Sequence, residues 1–348
     1  MKKIIALVLM VVMALGTAAC GGGEKKAADT KAAAPAATGS KGYGTYKWKA
    51  AMTVAETTTN YKMVKKFADL IHEKSGGSIT VDVYPAGQLG SDFAEAVVGG
   101  SIEMGTGINV DLVDFVPEMS LFDIPNLFTD VKQMRGLLNS DYSKTLNDYC
   151  SKAGIHMLAY SDAGFRQLTT NKKINRIAEI KGQKIRTMTD KYHVAYWNEL
   201  GATATPIQFT ELFMALQQHT IDGEENPYMN IVGNNLQEVQ KYVYETNHIG
   251  HIITFFMNNK LYTSLPEKDR KLVDECAAEA SKFAAGIADE SIKADKKKCT
   301  DAGCEISTLN KEDQDWLKSK AKPVEQMVRK DLGDAKVDGL LKALAKVK

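Results

Sequence analysis

The chain has 348 residues, 44% of them hydrophobic and 25% charged, with a formal net charge of +1. This length exceeds one ordinary core, so two domains or lobes are expected, built from a composition typical of globular proteins. The near-neutral balance excludes a basic field for nucleic acid and a polybasic membrane patch, so specificity has to come from a local site.

Met1-Lys2-Lys3 is a short basic lead, and residues 4–15 are an apolar run too short to cross a bilayer. Together they read as a secretion signal over residues 1–19. Gly16-Thr17-Ala18-Ala19 then bring small residues up to Cys20, a pattern that resembles a bacterial lipobox. Cys20 is therefore the expected lipidation site, with Thr17 standing where Leu is commonest. Residues 20–44 are mostly Gly, Ala, Lys, Thr and Ser, which cannot bury enough apolar surface to offset their ordering entropy and form a flexible tether. No later run is long and apolar enough to span a membrane as a helix.

The folded body is expected from residue 45. Tyr46, Trp48, Ala50 and Met52 alternate with Lys47, Lys49 and Ala51 as in a strand. Thr59 or Asn60 can cap a helix whose Met63, Val64, Phe67, Ala68 and Ile71 share one face, and Gly76-Gly77 ends it. Ile79, Val81 and Val83 predict the next strand, the Pro85–Gly90 loop follows, and a short helix spans residues 93–98. Residues 103–108 are a further strand that ends with Asn109 facing a cleft. Gly105-Thr106-Gly107 is not a dinucleotide fingerprint, because Val110 stands where the third glycine belongs. A buried turn is expected over 117–128, a helix over 130–153 and a strand over 155–161. This alternation calls for a mixed, largely parallel sheet.

From Gly164 the sequence becomes most informative. Gly164-Phe165-Arg166-Gln167 is followed by Lys184-Ile185-Arg186, by Thr205-Pro206-Ile207-Gln208-Phe209 and by Ile221-Asp222-Gly223-Glu224-Glu225-Asn226-Pro227. Two arginines, an aromatic ring and an amide are thus each near the end of an expected strand, in a segment where strands at 184–188 and 204–207 alternate with helices at 192–200 and 211–218. Ligands of open α/β sheets bind beyond the carboxyl ends of the strands. Planar guanidinium forks suit carboxylates, so this set points to a small organic acid. His219 closes the second helix and tolerates a positive φ better than most residues. A strand is expected over 252–258, and Pro266 opens a long helix reaching toward Cys299.

These motifs resemble the solute-binding subunit of TRAP (tripartite ATP-independent periplasmic) transporters of the dicarboxylate type. The likeness runs from about Tyr46 to the last helices and includes Tyr84-Pro85-Ala86-Gly87-Gln88-Leu89-Gly90 and Gly99-Gly100-Ser101-Ile102. It implies a two-lobe periplasmic-binding-protein-like fold with a hinge, a central ligand cleft and a long helix spanning both lobes. Lobe I would comprise 45–163 plus 252–291, and lobe II 164–251 plus 292–348, with residues 316–348 packed on lobe II. The resemblance also implies that Arg186 is the main carboxylate clamp and Arg166 a second ligand-side arginine. Asn226, held extended by Pro227, would donate to the same carboxylate, and Phe209 would stack on the ligand. Many relatives carry Val-Pro after the clamp where this chain has Thr187-Met188, so Met188 gives the pocket wall its own character.

The implied function is a tethered extracytoplasmic receptor, monomeric, that hands an organic acid to the integral-membrane TRAP subunits without a cofactor. A receptor for another uptake system or for a sensor is the alternative. An exported hydrolase lacks support, since no G-x-S-x-G elbow or HExxH motif is present. His248 and His251 lack a third ligand nearby in sequence, and Asp222, Glu224 and Glu225 read as turn and structural acids rather than a metal centre. Besides Cys20 the chain carries Cys150, Cys276, Cys299 and Cys304. An exported body permits a disulfide between Cys299 and Cys304, and free thiols are equally compatible with the sequence.

Overall fold

The computed structural model describes residues 41–347. The signal, Cys20 and most of the tether lie outside the described residues. Strands β1 (Tyr46–Ala51), β2 (Ile79–Tyr84), β3 (Met104–Ile108), β4 (Ile155–Phe165), β5 (Gln167–Thr170), β6 (Lys184–Thr187), β7 (Thr203–Pro206), β8 (Gly223–Asn226), β9 (Tyr242–Glu245), β10 (Gly250–Asn258) and β11 (Glu305–Thr308) form two sheets. One sheet has the order β2-β1-β3-β10-β4 and the other β11-β9-β5-β8-β6-β7. The fold is a two-lobe α/β architecture with one sheet per lobe.

The first strand follows from its alternation, whereas β5, β8 and β10 are buried at every position. Trp48, Ala50 and Met52 are buried on one side of β1, against the helix Thr59–Ser75, whose Met63, Val64, Phe67 and Ile71 are fully covered. Thr58 caps that helix, one residue earlier than expected, its hydroxyl accepting from the Tyr61 amide. Gly76 ends it at φ +70°, a conformation that costs a side-chain-bearing residue most. The helix expected over 130–153 is two, Val131–Leu138 and Asp141–Lys152, because Ser140 starts a fresh cap by accepting from the Tyr142 amide. His219 does adopt a positive φ, +55°.

Besides the passage through the helix Glu267–Asp301, the chain crosses between the sheets at two neighbouring places. β4 runs into β5 through Arg166, and β9 runs into β10 through residues 246–249. The Arg166 amide donates to the Ile249 carbonyl at 3.0 Å, so the two crossings are themselves tied. Antiparallel pairs occur where these crossing strands enter the sheets: β10 with β3 and β4, and β5 with β8 and β9. The remaining pairings are parallel.

The helix Glu267–Asp301 has 35 residues and, at 1.5 Å per residue, is roughly 50 Å long. Its Leu272, Val273, Cys276, Ala277, Ala280 and Ala284 pack in the core of the first lobe, and Cys299 packs in a core of the second. The helices that follow do not rest on the second lobe alone. Ala321–Leu332 packs on both Lys191–Glu199 and the 3-10 turn Pro117–Asp123, while Asp334–Leu344 packs on that turn and on Val131–Leu138. Val324, Val328, Val337 and Leu340 share one core with Phe122 and Met134 of the first lobe and Tyr192 and Trp197 of the second. An amphipathic pattern shows which face is apolar but not which partner it meets. Cys299 and Cys304 are separate, buried thiols, as are Cys150 and Cys276.

Candidate functional site

A cleft between the lobes is lined on one side by Thr53, Asn60, Ile108 and Asp111 and on the other by Arg186, Met188, Phe209, Asn226 and Asn230. The cavity it encloses is about 100 Å³. Five of the expected site residues line this cleft: Arg166, Arg186, Met188, Phe209 and Asn226.

Arg186 stands at the end of β6, where the parallel pairing with β7 aims its side chain past Thr205 toward Ile207. Its Nε and Nη2 donate to the Ile207 carbonyl at 2.8 and 2.6 Å. Nη1 has no partner, although Arg186 is only 3% exposed. The Phe209 ring lies 5.8 Å from the guanidinium carbon and covers one face of it. Burial, reinforced by the nearby Arg166, pushes the Arg186 pKa down to about 10. It stays cationic at neutral pH, desolvated and short of an acceptor. The loop carrying Ile207 and Phe209 folds over the guanidinium and keeps it from bulk water.

Arg166 is engaged differently. Its Nε donates to Glu225 Oε2 at 2.5 Å, Nη2 to Glu225 Oε1 and to Asn226 Oδ1, each at 3.0 Å, and Nη1 lies 3.0 Å from His251 Nδ1. Every nitrogen of the fork is therefore used inside the protein. Glu225 also meets His248 Nε2 at 2.9 Å. Burial would raise the Glu225 carboxyl, but Arg166, with the neighbouring histidines, holds it well below the usual range. This buried cluster sits at the two chain crossings. Glu224 turns the other way, accepting from the Thr169 hydroxyl at 2.8 Å and from Asn226 Nδ2 at 2.5 Å, and burial pushes its carboxyl up to about 7. The two acids thus face the protein and leave the clamp its positive charge.

Asn109 does not line the cleft. The chain turns into a 3-10 helix directly after β3, so the Asn109 amide donates inward to the Met119 carbonyl at 3.3 Å and to Asp123 Oδ1 at 2.8 Å. Asp111, two residues on, occupies the wall instead. Asn60, Asn230 and Asp111 were not singled out in the sequence. Their signal was weak, since Asn60 reads as a cap and Asn230 lies on the short helix after Pro227.

Among the described residues one group could present three ligand atoms to a metal, Asp123, Asp190 and His193, whose donor atoms lie within 4.8 Å of one another. Each is already engaged through one atom. Asp190 caps the helix Lys191–Glu199 by accepting from the Tyr192 and His193 amides, and His193 Nε2 lies 3.1 Å from Asp123 Oδ1. The trio is explained as a helix cap and an ion pair between lobes.

Two α/β lobes joined by paired crossings, with a desolvated arginine short of an acceptor between them, define a solute-binding protein of the periplasmic type. The family model of bacterial extracellular solute-binding proteins, family 7, matches residues 50–331, and the chain belongs to that family, the solute-binding subunits of TRAP transporters. A C4-dicarboxylate-binding protein of Bacillus subtilis is 31% identical over 274 residues, covering 76% of this chain and 77% of that one. The sugar acid binding protein of Advenella mimigardefordensis, solved in complex with galactonate, aligns with a TM-score of 0.84 at 26% identity, over 87% of this chain and 99% of that one. A TRAP periplasmic solute-binding protein of Shewanella oneidensis, solved with bound succinate, aligns with a TM-score of 0.82 at 26% identity, over 86% of this chain and 100% of that one.

Proposed function

We propose that this protein is an exported, lipid-anchored receptor that captures a small organic acid in the interlobe cleft and delivers it to the membrane subunits of a TRAP transporter. The observation that carries this reading is the buried Arg186 with Nη1 unpartnered beside the Phe209 ring. A carboxylate is the group that completes such a fork, and relatives solved with galactonate and succinate hold acids of this kind. Asn226 is a neighbour of that carboxylate, and Met188 shapes the wall around the remainder of the ligand. The protein works as a binding module rather than an enzyme, with lobes divided as 45–163 plus 252–291 and 164–251 plus 292–348.

Calorimetric titration tests the clamp, using an acid first found by thermal shift, since binding to the native state alone raises stability with ligand concentration. Truncating one partner of a buried charge pair costs about 2–5 kcal/mol, so Arg186→Ala should lose tens to thousands of fold in affinity. Arg186→Lys should fail nearly as badly, because an ammonium keeps the charge but not the fork. Binding by Arg186→Ala within about threefold of the parent, under ~1 kcal/mol, would place the anion elsewhere.

The anchor is a separate proposal, supported by the apolar run at 4–15 and the small residues before Cys20. Cells expressing Cys20→Ser should release the protein from the membrane fraction. If the variant still sediments with membranes, the lipid anchor is wrong.

A further inference from the structure

The cleft wall is unequal in polarity. Three of its buried side chains keep an atom that no protein group satisfies: Nη1 of Arg186, Oδ1 of Asn60 and Oδ1 of Asn230. The first is a donor and the other two are acceptors. Asn60 is 1% exposed and Asn230 5%, so bulk water does not reach either freely. Asp111 adds a carboxylate to the same wall, its Oδ2 accepting from the Ile108 amide at 2.8 Å.

The amide orientations are forced by their neighbours. Asn60 Nδ2 donates to the Gly107 carbonyl at 3.1 Å, a group that can only accept, so the oxygen must be the free end. Arg166 can only donate, so Asn226 must present Oδ1 to it, at 3.0 Å. That same oxygen accepts from Asn230 Nδ2 at 3.1 Å, which leaves Asn230 with its oxygen unpaired. The Arg166–Glu225 pair thereby sets the polarity of the wall.

We propose that the cognate solute is a carboxylic acid that also carries hydroxyl or ammonium donors, its carboxylate on Arg186 and its donors on Asn60, Asn230 and Asp111. Unsubstituted mono- and dicarboxylic acids are poor ligands on this view. An alkyl chain closed against these oxygens leaves them unpaired, which costs about tenfold or more in affinity per group. A second carboxylate meets the Asp111 charge, since burial raises that carboxyl only to about 6 and it remains mainly ionised at neutral pH. The inference rests on Arg186 taking the ligand carboxylate.

Isothermal titration at pH 7 of the soluble Cys20→Ser protein with two sets of acids tests it. The first set is gluconate, galactonate, glucuronate, glycerate and serine; the second is propionate, hexanoate, succinate and adipate. At least one acid of the first set should bind tenfold or more tighter than every acid of the second. Asn230→Ala and Asn60→Ala should weaken that acid about tenfold and, by removing an oxygen that an alkyl chain leaves unpaired, tighten the acids of the second set. Asp111→Asn, at a half-buried position, keeps an acceptor while removing the charge, and should gain threefold or more for succinate or adipate. Circular dichroism melts of the unliganded variants check that each is folded. An unsubstituted acid that binds as tightly as the best of the first set overturns the proposal, as does a first set that shows no binding. If that unsubstituted acid is lost in Arg186→Lys, only the donor requirement falls. If its binding survives Arg186→Lys, the carboxylate clamp falls as well.

Discussion

His193 shows how one buried side chain ties stability to pH. It is fully buried, with Nε2 3.1 Å from Asp123 Oδ1 and Nδ1 3.8 Å from Glu225 Oε1. Burial opposes its charge, but Asp123 and Glu225 outweigh burial and push its pKa up to about 9 from 6.5. Between those values the folded protein keeps a proton that the unfolded chain has released, so stability falls as pH rises through the window. Glu224, pushed up to about 7 by burial, acts in the same direction up to that pH. The melting temperature should therefore be lower at pH 9 than at pH 7, and the difference should shrink in His193→Gln. An unchanged slope in that variant would remove His193 as the cause.

The long helix Glu267–Asp301 carries little intrinsic apolar surface, and what it buries is mostly small. Ala277, Ala280 and Ala284 recur at three- and four-residue steps and are each fully covered among Phe67, Ile71 and Phe255. Small residues let the helix lie close against Thr59–Ser75 and β4. Closely packed interiors resist added volume, so Ala280→Leu should cost about 1–3 kcal/mol. Denaturant melts check this, and a loss below about 0.5 kcal/mol would mean that the helix has room to shift.

For the whole molecule the decisive question is movement. The lobes are joined through Arg166 and residues 246–249, by the long helix, and by C-terminal helices packed on both sides. Several crossings favour hinge bending over independent tumbling. We expect ligand to stabilise a more closed form, because burying its carboxylate is favourable only once Arg186 pairs with it. Small-angle scattering with and without a saturating acid should give a smaller radius of gyration when bound. Superimposable profiles would argue that the lobes hold one arrangement throughout.

Periodicity and turn chemistry were enough to locate the longer strands and helices, since those signals act over a few residues, but not the four-residue strands β5, β8, β9 and β11. The alternation at Trp48, Ala50 and Met52, the apolar face of Thr59–Ser75 and the positive φ at His219 are all local matters. The residue types at the cleft were legible for the same reason: arginine and aromatic side chains at strand ends already carry their chemistry. What the sequence left open depended on direction and on distant partners. A 3-10 turn after β3 sends Asn109 inward and brings Asp111 to the wall, a choice made by backbone direction over two residues. Arg166 pairs with Glu225, 59 positions away in sequence, and the C-terminal helices find faces on both lobes. No local pattern encodes such pairings, because they exist only once the chain crossings bring buried charges together where water cannot satisfy them.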